Sequence, residues 1–213
     1  GIETQRLLNT NLTFTPRLVS IRPRLSIGTT FTMTKDPNAR DPVREAGDTA
    51  GSFHVPAAFS NQRRIEGRAQ FDLGRLARGV LGDSAALARM IARITGLDLS
   101  YSTQQGSVYS RAAGAPPPSY QFALGNFDSF REVDGLLAAS ATQSTTLTLS
   151  GAMTLPLGLR ASAAFRHTDG VGWTLRADSQ VPLRSDVREW PSGSVTWTIT
   201  PSRRNLGRLL TSI

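Results

Sequence analysis

His54 and His167 are the only imidazoles in this 213-residue chain, and it has no cysteine. The chemistry open to side chains is therefore narrow. Without thiols there is no disulfide frame, no cysteine zinc site and no cysteine nucleophile. The two histidines are far apart in sequence, and neither has metal-ligand spacing. His167 with Asp169 is a candidate acid–base pair at a strand end; the plainer reading of the two is the solvated start of a loop. The run from Asp36 to Asp41 offers calcium-like oxygen spacing over three residues. It then lacks the glycine and glutamate of a calcium-binding loop, so it reads as a proline-punctuated turn. Gly170-Val171-Gly172 reads as a turn. No nucleophile elbow, phosphate loop or paired-histidine helix is present. The expectation is a non-enzymatic chain with no catalytic, cofactor-binding or metal-ligating residues.

The formal net charge of +8 raises the question of nucleic acid. A nucleic-acid footprint is a basic cluster or stripe on one element. Here arginines are scattered from Arg6 to Arg208, the largest groupings are the pairs Arg63-Arg64 and Arg203-Arg204, and Lys35 is the one lysine. Nucleic acid is not expected as a partner. No apolar run is long enough for a membrane-spanning helix.

The elements that must position any function are strands. Period-two alternation dominates the chain. In residues 24–34, Leu25, Ile27, Thr29, Phe31 and Met33 share one face, while Arg24, Ser26, Gly28, Thr30, Thr32 and Thr34 share the other. The same pattern predicts strands at about 4–15, 23–34, 63–73, 97–105, 144–155, 157–168 and 193–200. One amphipathic helix is expected at about 84–95, with Leu87, Met90, Ile91 and Ile94 on one side. It would lie on a membrane surface, plug a lumen or pack on the sheet rim. Ser119–Leu124 alternates and is a possible further short strand.

Most of these strands run to roughly 9–12 residues, against a usual mode near 5–6. A strand crossing a bilayer at a tilt needs about 9–11. Long polar loops are expected at about 35–62, 106–143 and 169–192, alternating with short or helix-bearing connections, the asymmetry of outer-membrane barrels. Phe14, Phe71 and Trp197 would form one aromatic level, and Phe31, Phe165 and Trp190 a second. The polar faces, with Arg24, Ser26, Thr30, Arg64, Glu66, Arg68, Asp72, Arg160 and Arg166, would line a hydrated lumen. In a soluble β-protein the same residues simply face solvent.

Four segments together resemble the SprA/Sov family, the giant outer-membrane barrels of the type IX secretion system. They are RPRLSIGTTFTMTKDPN from Arg22 to Asn38, FDLGRL from Phe71 to Leu76, PSYQFALG from Pro118 to Gly125, and EWPSGSVTW from Glu189 to Trp197. They are strand and loop texture, with no catalytic signature. The resemblance implies a protein-conducting pore in a Gram-negative outer membrane, its loops extracellular. It implies secreted proteins as substrates, accessory secretion subunits as partners, and contact with outer-membrane lipid and lipopolysaccharide.

The expectation is therefore an all-β antiparallel meander, residues 1–213 forming one segment of a transmembrane barrel and a piece of a longer chain. The alternatives are a receptor or transporter barrel for small ligands or lipopolysaccharide, and a soluble β-sandwich binding module or adhesin.

Overall fold

A computed structural model describes residues 3–39, 43, 49, 54–81, 91, 93–154, 159–177 and 179–197. Its strands are β1 (Gln5–Phe14), β2 (Ile21–Lys35), β3 (Ala57–Phe71), β4 (Ile94–Ala112), β5 (Glu132–Val133), β6 (Leu136–Leu137), β7 (Ser140–Thr154), β8 (Leu159–Arg176) and β9 (Ser179–Trp197). The helices are α1 (Leu73–Leu81), α2 (Pro118–Gln121) and α3 (Asp128–Arg131). β5 and β6 form a small ladder of their own. The other seven make one antiparallel sheet in chain order, β1-β2-β3-β4-β7-β8-β9. The chain is all-β, as its alternation predicts.

The main strands are longer than the pattern alone indicates. β4 and β9 each have 19 residues and β8 has 18. At about 3.3 Å per residue, 19 residues extend over ~60 Å. The largest difference concerns the expected loop at 169–192, which does not exist. β8 and β9 run through these residues and pair from Arg176↔Ser179 to Leu159↔Trp197. Gly170, Gly172, Pro182 and Pro191 look like loop residues. β9, however, is the last strand of this sheet, and a proline breaks no bond to β8 where its nitrogen points away from that strand. A register shift between Ala164 and Arg166 absorbs the Trp190-Pro191 step.

The other two long connections, at 36–56 and 113–139, leave from one end of the sheet. The connections at 15–20, 72–93 and 155–158 leave from the opposite end. The third strand ends earlier than its alternation implies, because Asp72 caps α1. Its Oδ1 accepts the Arg75 backbone N–H at 3.0 Å, and its carboxylate meets the Arg75 guanidinium at 3.3 Å. The expected helix at 84–95 falls largely on residues outside those described, and its last two positions, Ile94 and Thr95, begin β4. Ser119–Leu124 is not a strand; it carries most of α2 and a turn with Ala123 at φ 54°.

The buried core lies at the long-loop end, on one face only. Phe31 and Met33 of β2, Phe59 of β3, Tyr109 of β4 and Ala141 of β7 pack against Tyr120, Val133 and Ala138 from residues 113–139. That segment folds back over the sheet as a cap. Elsewhere both faces of the sheet carry exposed side chains.

Candidate functional site

Register places most of the expected lumen residues on one face. Ser26 opposes Glu66, which opposes Ser102, then Thr146, then Thr168. The adjacent rung runs Arg24, Arg68, Ser100, Thr148, Arg166, and Thr30 opposes Gln62. Arg64 and Arg160 share this face by parity. Hydroxyl pairs link its strands: Thr32 with Ser60 at 2.7 Å, Thr146 with Thr168 at 3.2 Å, and Ser162 with Ser194 at 2.8 Å. Arg64 forms an ion pair with Glu66. Arg24 directly faces Arg68, a like-charge pair that is destabilising unless water screens it. Both side chains are exposed, so this rung is built to be wet. Asp72 is the exception: it stands beyond the end of β3 as the cap of α1, outside this surface.

The opposite face is divided along its length. Its lower part is an exposed apolar band that includes Leu12, Phe14, Leu25, Tyr101, Leu147, Leu149, Phe165, Val195 and Trp197. The upper edge of the band is sharp. Ile65 is followed up the same face by Arg63, Tyr101 by Thr103, Leu147 by Thr145, and Phe165 by His167.

This band runs obliquely to the strands. At the β1 edge, Leu12 and Phe14 oppose Ile27 and Leu25, and those rungs continue across the sheet to Asp169 and His167 of β8. At the β9 edge, Val195 and Trp197 oppose Ala161 and Leu159 of β8. Between the two edges the band therefore drops about eight residues, or ~26 Å, over six strand spacings totalling ~29 Å. Its inclination to the strands' normal is about 40°, following from those same spacings.

Above the band sits the cap, and polar side chains from the sheet hold it. Asn61, fully buried, donates from Nδ2 to the Tyr120 carbonyl. Tyr120 shares a hydrogen bond with Ser107 Oγ at 2.8 Å and packs against Phe31, Phe59, Tyr109 and Phe130. Tyr109 donates to the Phe130 carbonyl at 2.9 Å. Arg63 donates through Nη1 to the carbonyls of Ala123 and Gly125, both at 2.8 Å, while its fork grips Gln105 Oε1 and its guanidinium lies 5.2 Å from the centre of the Phe130 ring. Gly125, at φ 116°, sits where any residue with a Cβ is strained, and a Cβ there would also come within 2.7 Å of Ser129 Oγ. At the far side of the cap, Arg131 stacks over Trp173 at 4.7 Å, and Gln180 Nε2 donates to the carbonyls of Arg131 and Ala138.

Burial pushes the Tyr109 and Tyr120 phenols above their ordinary range. A raised folded-state value means the cap is fully supported below the unfolded phenol value of about 10 and loses support as pH rises past it. In an ultraviolet difference titration, Tyr109 and Tyr120 are expected to ionise together above the ordinary phenol range, as the cap opens.

The expected aromatic levels are only partly assembled. Phe14 and Phe71 lie near the short-turn end, and Trp197 reaches it. Phe31 is fully buried under the cap and Phe165 is exposed in the band about eight residues lower by rung, so the two do not form one exposed girdle. The Trp190 side chain is outside the described residues. Alternation marked both faces, but it could not show the cap, whose contacts join residues about 60 apart. His167 Nδ1 stands 3.5 Å from an Asp186 carboxylate oxygen of β9, and that carboxylate meets the Arg188 guanidinium at 3.2 Å. These side chains lie on an open sheet surface, and no cluster of three metal-ligating side chains occurs among the described residues. Comparison with known protein families, with curated proteins and with solved structures finds no match for this chain.

Proposed function

We propose that this chain is an arc of the wall of an outer-membrane β-barrel, with its polar face toward a hydrated lumen and its apolar band toward lipid. The observation that carries this reading is the slope of the band. Strands of transmembrane barrels tilt about 35–45° from the barrel axis, so a belt of lipid contact must cross them obliquely. A band at about 40° to the strand normal is what such a tilt produces. The wet face with its opposed Arg24 and Arg68 fits a water-filled interior. A soluble sandwich would need a second sheet over the apolar face. Among the described residues only the cap covers that face, and it leaves the band open.

The resemblance to the SprA/Sov family makes a protein-conducting translocon the leading role, with no enzymatic step. Secreted proteins are then the substrates, and accessory secretion subunits and outer-membrane lipid the partners. The long-loop end and its cap would face outward. These 213 residues hold no cysteine, so each introduced thiol is the only one in this arc. In the full-length protein in intact membranes, cysteines replacing Thr148 or Ser100 are expected to react with a water-soluble maleimide, and one replacing Leu149 is not. A photocrosslinker at Ser100 is expected to form adducts with secreted polypeptides during export. Recovery of the protein from the aqueous fraction without detergent would overturn the barrel. A lipid-shielded Leu149 without adducts would leave the barrel standing and remove the translocon role.

A further inference from the structure

Phe122 and Leu124 are large, apolar and exposed, at 45% and 63%, and they flank Ala123, which is buried. They belong to the lower lip of the cap. The lip is held by Arg63, whose Nη1 bonds the carbonyls of Ala123 and Gly125. Two residues along the same face of β3 stands Ile65, at the upper edge of the apolar band. The residue that holds the lip is therefore one rung, ~7 Å, above that edge. Tyr101 marks the same edge on β4. It is half exposed, and its phenol oxygen is turned up to accept from Thr103 Oγ1 at 3.0 Å. A tyrosine with its ring in an apolar band and its oxygen at a polar rim is the arrangement found at membrane–water boundaries.

We propose that the cap lip is an interfacial anchor. Phe122 and Leu124 enter the boundary between lipid headgroups and acyl chains just above the band, and Arg63 fixes them at that depth. This rests on the barrel reading. The occupant follows from continuity: Arg63, which holds the lip, is the next residue up the same face from Ile65 at the edge of the band, so the surface that covers the band extends to the lip. Side chains anchored in this way sit about 5–10 Å into the headgroup–acyl boundary. The cap, otherwise held only by its contacts with the sheet, is then also held by the membrane.

The test uses full-length protein in lipid bilayers, with an environment-sensitive fluorophore on one introduced cysteine at a time: Phe122→Cys, Leu124→Cys, Leu149→Cys in the band, and Ser119→Cys on the exposed side of α2. The quenchers are lipids labelled either at the headgroup or deep in the acyl chain. The proposal expects the labels at 122 and 124 to lose most of their emission to the headgroup quencher and little to the deep one. It expects the label at 149 to respond to the deep quencher and the label at 119 to neither. Phe122 and Leu124 are exposed, so these changes remove no core contact. Hydrogen exchange at Tyr109 and Tyr120 checks that the cap remains seated. If the label at 149 is quenched while those at 122 and 124 behave like 119 on a seated cap, the anchor is wrong and the barrel stands. If the label at 149 is not quenched either, the barrel reading falls and the anchor falls with it.

Discussion

Replacing Tyr120 with alanine is expected to release the cap from the sheet. Tyr120 is 2% exposed, and its ring touches four other aromatic rings. Truncating a buried aromatic to alanine costs about 3–5 kcal/mol, part of it for the cavity left behind. The segment from 113 to 139 has little regular structure of its own. α2 and α3 are single turns of four residues, too short to persist alone. The loss should therefore stay local: amide exchange should accelerate through 116–133, while β2, β3 and the lower part of β4 keep their protection. Tyr120→Phe separates packing from hydrogen bonding. It keeps the ring and loses only the bond to Ser107, for about 1 kcal/mol. Equal effects from the two variants would contradict this account of the cap.

A single arginine can distinguish the two faces. Leu149 lies within the apolar band on β7, and Thr148 beside it lies on the wet face. If the band meets lipid, Leu149→Arg should cost about 2–4 kcal/mol in a bilayer, the range for an arginine near the midplane of a barrel wall. Thr148→Arg should cost almost nothing. If both faces meet water, each change is an exposed substitution worth within about 0.5 kcal/mol. Equilibrium unfolding from lipid vesicles reads the difference directly, and similar values for the two variants would remove lipid from the argument.

Several features of the fold were legible in particular residues. Leu25, Ile27, Phe31 and Met33 alternate with Arg24, Ser26, Thr30 and Thr32, and both the strand and its two faces follow. The sequence was misleading where a strand accepts prolines: Pro182 and Pro191 mark a loop on paper but sit within β9. It was misleading again at Asp72, which continues the alternation of β3 but caps a helix instead. Tyr120 was least legible. Pro118-Ser-Tyr-Gln-Phe alternates like a strand, and its partners Asn61 and Phe31 are 59 and 89 positions away in the chain, so no local pattern could place it.

By itself, the sequence determined an all-β chain with one wet and one apolar side, because side-chain alternation is a property of each strand alone. Which rungs of the apolar side are level with one another depends on pairing register, a relation between strands. Only the tertiary structure could turn seven separate apolar stretches into one sloping band, or bring the cap down onto its upper part. The slope and the cap arise from long-range pairing, and it is on them that the membrane reading and its anchor rest.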